Sequence, residues 1–141
     1  MNSMFRNCDK LVTINVGIMD TTNVTDMSYM LADCDNLEII NLNGLNTKNV
    51  TSMKSMLSGL PKITKFDLTT FNLLNVTNFD NMFDGDTALT EVKMMSDINT
   101  ALSTVNMFIN INTTGVFYYN INYNYSRIIA SLPSTWTAII A

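Results

Sequence analysis

Asn23-Val24-Thr25, Asn49-Val50-Thr51 and Asn75-Val76-Thr77 recur at one constant interval of about 26 residues, a length typical of stacked repeats. A chain that repeats itself at such a period folds as stacked copies of one small unit, because no single unit can bury its own apolar face. The methionines keep the same step: Met4, Met30, Met56 and Met82 form one series, and Met27, Met53 and Phe79 another. Leu11/Ile14/Val16, Leu37/Ile40/Leu42, Ile63/Phe66/Leu68 and Leu89/Val92/Met94 form a third, with no insertion or deletion between residue 4 and about residue 94. A fifth, weaker copy places Leu102, Val105, Phe108 and Ile109 at the corresponding positions.

Each copy has two halves with different periodicities. In Val24-x-x-Met27-x-x-Met30-Leu31 the apolar positions fall at i, i+3, i+6 and i+7. That spacing predicts a short helix with one buried stripe, capped by either the Asn or the Thr of Asn-Val-Thr. In Leu37-Glu38-Ile39-Ile40-Asn41-Leu42 the alternation predicts a very short strand, one face in and one face out. Strand, turn, helix and turn within one such period make a leucine-rich-repeat unit. The expected fold is therefore an α/β repeat: a right-handed solenoid with a parallel sheet on one face and short helices on the other. The array is expected over residues 1–120, as four to five coils with the first incomplete, and a C-terminal cap over residues 121–141. Within the tail, Gly115 to Tyr119 reads as a last strand and Tyr125 to Leu132 as a helix stopped by Pro133. Thr135 to Ile140 is β-prone and is expected to pair beside the final coil, with the aromatics packing the cap.

The pattern N-V-T-x-M-x-x-M-(F/L), followed by a cysteine at Cys8 and Cys34 and by the L-x-x-(I/F/V)-x-L strand, resembles the BspA-like leucine-rich-repeat family over about residues 1–110. Leu60 and Asp86 depart from it at the cysteine position. The closing F-Y-Y and L-P-x-x-W-T segments resemble the same family. That resemblance implies a surface or attachment protein of bacteria, mycoplasmas or phages.

Composition narrows the chemistry. The chain has 141 residues and no histidine, which removes Ser-His-Asp and Cys-His nucleophile systems and the commonest transition-metal ligand. Two cysteines cannot build a four-cysteine zinc site. No carboxylate pair stands apart from the repeat pattern, so no enzyme, cofactor or bound metal is expected. A net charge of −4 without a basic run argues against nucleic acid. No apolar stretch reaches the roughly 18 residues that cross a bilayer, and residues 1–7 do not read as a signal peptide.

Several features have a structural explanation beside a functional one. The methionine columns fit core packing better than a soft-metal surface. Cys8 and Cys34 share one repeat position and are expected as thiols lying side by side in the core. Asp33-Cys34-Asp35 and Asp84-Gly85-Asp86 echo calcium loops but lack the later ligands, and are expected to be solvated turn acids. Five N-x-S/T sequons, at Asn23, Asn49, Asn75, Asn112 and Asn124, owe three members to the repeat itself.

Two surfaces are left as candidate sites. The outward, concave face of the sheet should carry a central column of Asn15, Asn41, Asp67 and Lys93, with Lys65 and Glu91 beside it. Opposite charges would then face each other on neighbouring strands, either keeping the sheet soluble or forming a recognition surface. The second is the edge of the first coil, built from Met4, Phe5, Leu11, Ile14 and Val16, with Val24 and Met27 in the same open layer. There the repeat starts part-way through a unit. That edge is expected to dock on a second copy or on another structural protein, and a host surface protein or glycan is a further expected partner. With Met1 as the initiating residue, a phage virion component is favoured over a fragment of a cell-surface adhesin, so the expected location is the particle or the cell exterior.

Overall fold

The computed structural model describes residues 1–141. The chain winds as a parallel β-solenoid. Six strands occur in chain order: β1 (Thr13–Asn15), β2 (Ile39–Asn41), β3 (Lys65–Asp67), β4 (Glu91–Met94), β5 (Gly115–Tyr119) and β6 (Trp136–Ile140). One helix, α1 (Ser126–Ser131), lies between β5 and β6. All strand pairs are parallel and the register follows the repeat: Ile14 faces Ile40 and Phe66 faces Val92, each one full period on. The step then shortens. Glu91 pairs with Val116 where a full period would bring Phe117, and Gly115 pairs with Trp136 where it would bring Ala141.

The half of each repeat expected to be helical forms no helix. Its N–H groups alternate between two destinations. Met30 and Ala32 donate to carbonyls three residues back, at Met27 and Tyr29, while Met27, Tyr29, Leu31 and Asp33 donate to Ser52, Lys54, Met56 and Ser58 of the next coil. An α-helix would need those N–H groups for its own carbonyls four residues back. Two left-handed residues per coil turn the chain out of helical geometry: Tyr29 (φ 57°) and Asp33 (φ 60°) in the second, Ser55 and Gly59 (φ 67°) in the third. The i, i+3 apolar spacing arises from successive three-residue turns, which share their closing bond with a 3₁₀-helix. The result is a turn wall, bonded coil to coil like a sheet. The missing signal was in plain view: one left-handed position is occupied in turn by Asn7, Asp33, Gly59, Gly85 and Asn110, the residue types that tolerate that conformation.

Asn-Val-Thr caps nothing either. The Asn49 and Asn75 amides donate to the carbonyls of Thr22 and Lys48 in the preceding coil, both at 2.8 Å. Thr51 and Thr77 donate to Thr25 and Thr51 at 3.1 and 3.3 Å. Both residue types of the motif tie one coil to the one before it.

Inside, Met30, Met56 and Met82 are fully buried beside Leu31, Leu57 and Phe83. Toward the C-terminus the core turns aromatic. Phe66, Phe83 and Phe108 stack with centroids 5.2 and 5.3 Å apart, and Trp136 closes on Phe108 at 5.9 Å. Gly115 makes room for that indole, since a Cβ there would lie 2.4 Å from its ring. In the fifth copy Met107 and Phe108 are buried while Val105 and Ile109 are exposed. The one-residue shortening puts Met107 rather than Phe108 in the methionine column. The tail strand pairs along β5 as its composition suggests, and of the apolar residues in α1 only Ile128 is fully buried.

The sheet is interrupted once. β1 and β2 form one piece and β3 to β6 the other. On the opposite wall the stack stays continuous through bridges from Asp26 to Ser52, Asn78 and Ser103. Lys62 reaches across the gap to Glu38 at 2.8 Å.

Candidate functional site

The strand face divides along that interruption. Asn15 and Asn41 face each other in register on the first piece, whereas Lys65, Asp67, Glu91 and Lys93 belong to the second. The six residues thus fall in two patches rather than in one column.

Local chemistry explains the column. Asn15, Asn41 and Asp67 are exposed, and each turns its side-chain oxygen back to the N–H two residues ahead: Gly17 at 3.2 Å, Asn43 at 3.0 Å and Thr69 at 3.0 Å. Such Asx turns close the corner after a strand. The Thr69 hydroxyl, 2.6 Å away, holds the Asp67 carboxyl below its ordinary range, aided by the Thr69 N–H and the Lys93 ammonium and opposed by partial burial. Three of the four column residues therefore have a structural task.

The charged patch is built around Glu91. Lys65 and Lys93 approach its two carboxylate oxygens, each at 3.4 Å. Lys93 also lies over the Tyr118 ring, 5.2 Å from its centroid. Asp67 and Lys93 pair in register, but the lysine turns to Glu91 and the tyrosine instead. Sequence reasoning missed Tyr118, because it reaches this column through the shortened step. Its place between Lys93 and Ile139 is fixed by strand register.

At the first coil, Met4 is 53 % exposed, and Phe5, Leu11 and Ile14 are half-buried. Val16 and Met27 are fully buried and present nothing to a partner. The N–H groups of Ser3, Phe5 and Asn7 already bond to Ser28, Met30 and Ala32, which draws this layer against the second coil.

Cys34 is buried and its thiol donates to the Phe5 carbonyl at 3.0 Å; Cys8 is half-buried, and both are free. Burial pushes the Cys34 thiol up from its ordinary pKa. Asp86, expected as a solvated turn acid, is fully buried at this cysteine position. One oxygen accepts the Leu60 N–H at 2.8 Å and the other has no partner. Desolvation raises its pKa well above the ordinary aspartate value, against the Leu60 N–H, which lowers it, and with a small contribution from Asp84. No group of three or more His, Cys, Asp or Glu side chains is placed to hold a metal ion. No helix is long and apolar enough to cross a membrane.

Stacked coils of nearly equal length, a turn wall bonded like a sheet and a strand face of Asx turns and paired charges define a repeat solenoid. Residues 1–125 match the family described as "Mycoplasma protein of unknown function, DUF285", and the chain belongs to that family. No curated protein and no solved structure matches it.

Proposed function

We propose that this protein is a non-enzymatic interaction module of the attachment type, displaying its strand face to another macromolecule. The observation that carries the reading is the patch of Lys65, Glu91, Lys93 and Tyr118. Four side chains from three adjacent strands form one connected charged and aromatic surface on a rigid sheet. Most other polar groups of the strand face are used up in closing turns. Tyr118 suits protein recognition, because tyrosine is among the residues that dominate the energetics of interfaces, and the Lys93 ammonium is drawn to its ring by cation–π attraction. Surface ion pairs contribute only about 0.2–1 kcal/mol to stability, so the patch can be spent on a partner at small structural cost. Attachment is the same task on a phage particle or on a cell surface. Membership of a Mycoplasma family favours the cell surface, with a host protein or glycan as the partner.

Labelled protein incubated with intact host or bacterial cells tests this reading. Saturable binding is expected, and Lys65→Gln with Lys93→Gln should weaken it by about tenfold or more with unchanged circular dichroism. Binding that ignores both substitutions and Tyr118→Ala, or turnover of a substrate by the purified protein, would overturn it.

A further inference from the structure

Through the turns of each wall, alternate N–H groups donate to the carbonyls of the next coil. Phe79, Asn81, Phe83 and Gly85 donate to the carbonyls of Ser103, Val105, Met107 and Ile109 in the fifth wall. The equivalent donors of that last wall, one shortened step on, are the N–H groups of Thr104, Asn106, Phe108 and Asn110. None of the four makes a hydrogen bond within the chain. The tail leaves them open because it takes a short cut: the step from β5 to β6 is shorter than any before it in the stack. That step is too short to build a sixth turn wall. The space left is a groove of about 600 Å³, lined also by Met107, Ile109, Ile111, Ser131, Pro133 and Thr135. Thr135 donates to the Thr113 carbonyl and the Trp136 indole to Asn112 at 3.0 Å, fixing the tail at this end.

We propose that this groove binds an uncharged peptide segment in the same turned conformation, which supplies carbonyls at alternate residues and takes the place of the sixth turn wall. Donors two residues apart along this wall match the carbonyls of a second segment turned in the same way, and adding a chain to an open backbone edge is a recurring mode of peptide recognition. Peptide oxygens accept the same bonds in each of the preceding walls. No charged residue lines the groove, so an ionic ligand would find no countercharge, whereas Met107, Ile109 and Ile111 offer apolar contact. A complete coil from a second copy does not suit the site, because β6 already holds the sheet side at that level. This surface is separate from the charged patch and stands or falls independently of it.

The probe is a capped synthetic peptide of residues 103–110, Ser-Thr-Val-Asn-Met-Phe-Ile-Asn, an uncharged segment whose carbonyls accept these bonds in the chain. Titrated into the full-length protein, it should shift the amide signals of Asn106, Phe108 and Asn110. At saturation it should slow their hydrogen exchange by about tenfold or more. Ile109→Lys, at a site 42 % exposed, should raise the Kd by about tenfold or more. Ile18→Lys, at a distant site 81 % exposed, should leave it unchanged. Three results would overturn the proposal: the four amides already protected in the free protein, no shift at millimolar peptide, or equal binding by the Ile109 variant. Protection that grows with protein concentration without peptide would assign the groove to a second copy and overturn it too.

Discussion

Asp86 stands where two other coils place a cysteine, and its burial makes the fold sensitive to pH. Its carboxyl titrates higher in the folded protein than in the unfolded chain. The stability associated with it is complete below the unfolded aspartate pKa and declines as pH rises toward the folded one. The slope is at most about 1.4 kcal/mol per pH unit for one proton. Asp86→Asn keeps an oxygen for the Leu60 N–H and removes the ionisation. Thermal melts should show this variant more stable than the parent near pH 7, with the difference shrinking toward about pH 4. Met56 gives a harsher test. It is fully buried between Met30 and Met82, so Met56→Asp buries an unpaired carboxylate costing several kcal/mol, comparable with the stability of a small domain. No cooperative melt is expected, and a soluble, cooperatively melting variant would contradict the buried column.

The turn wall and the strand differ in how much of them can be read from sequence. Ile14, Phe66 and Val92 alternate with polar neighbours, and Ile40 keeps the same step beside an exposed Ile39; period two admits only a strand, so the registers follow directly. Met27, Met30 and Leu31 match a helix and a run of three-residue turns equally well, because both return a side chain to one face after three or four residues. Only the Asn, Asp or Gly at the left-handed position separates the two. The pair of Lys65 and Glu91 was legible from the repeat step, whereas the turn of Lys93 from Asp67 to Glu91 was not, and Tyr118 and the open groove depend on shortened steps that periodicity does not reveal. Buried threonines do comparable work at the corners. The Thr47 hydroxyl accepts the Asn72 N–H at 2.7 Å and donates to the Asn72 carbonyl at 3.0 Å. Thr47→Val should therefore cost about 1–3 kcal/mol in urea unfolding, more than the exposed Thr13→Val, which should change stability by less than about 0.5 kcal/mol.

Across the whole molecule, each coil bonds only to its neighbours, so stability is a sum of local interfaces. The weakest is expected where the sheet is interrupted between β2 and β3. Hydrogen exchange should find the strand amides of residues 13–15 and 39–41 less protected than those of 91–94 and 115–119; equal protection would show that the opposite wall alone carries the coupling. Trp136 holds the other end, packed on Phe108 and over Gly115. Trp136→Ala should cost about 3–5 kcal/mol and release the tail, detectable as faster proteolysis after residue 120. The spacing between stacked strands also decides what growth of such an array achieves. Neighbouring strands lie about 4.8 Å apart, so each added coil, one whole repeat of chain, lengthens the body by little more than one extended residue would. A gene that gains or loses copies hardly alters how far the protein reaches. What it alters is the number of parallel rows on its flank, and hence the breadth of the contact it can offer.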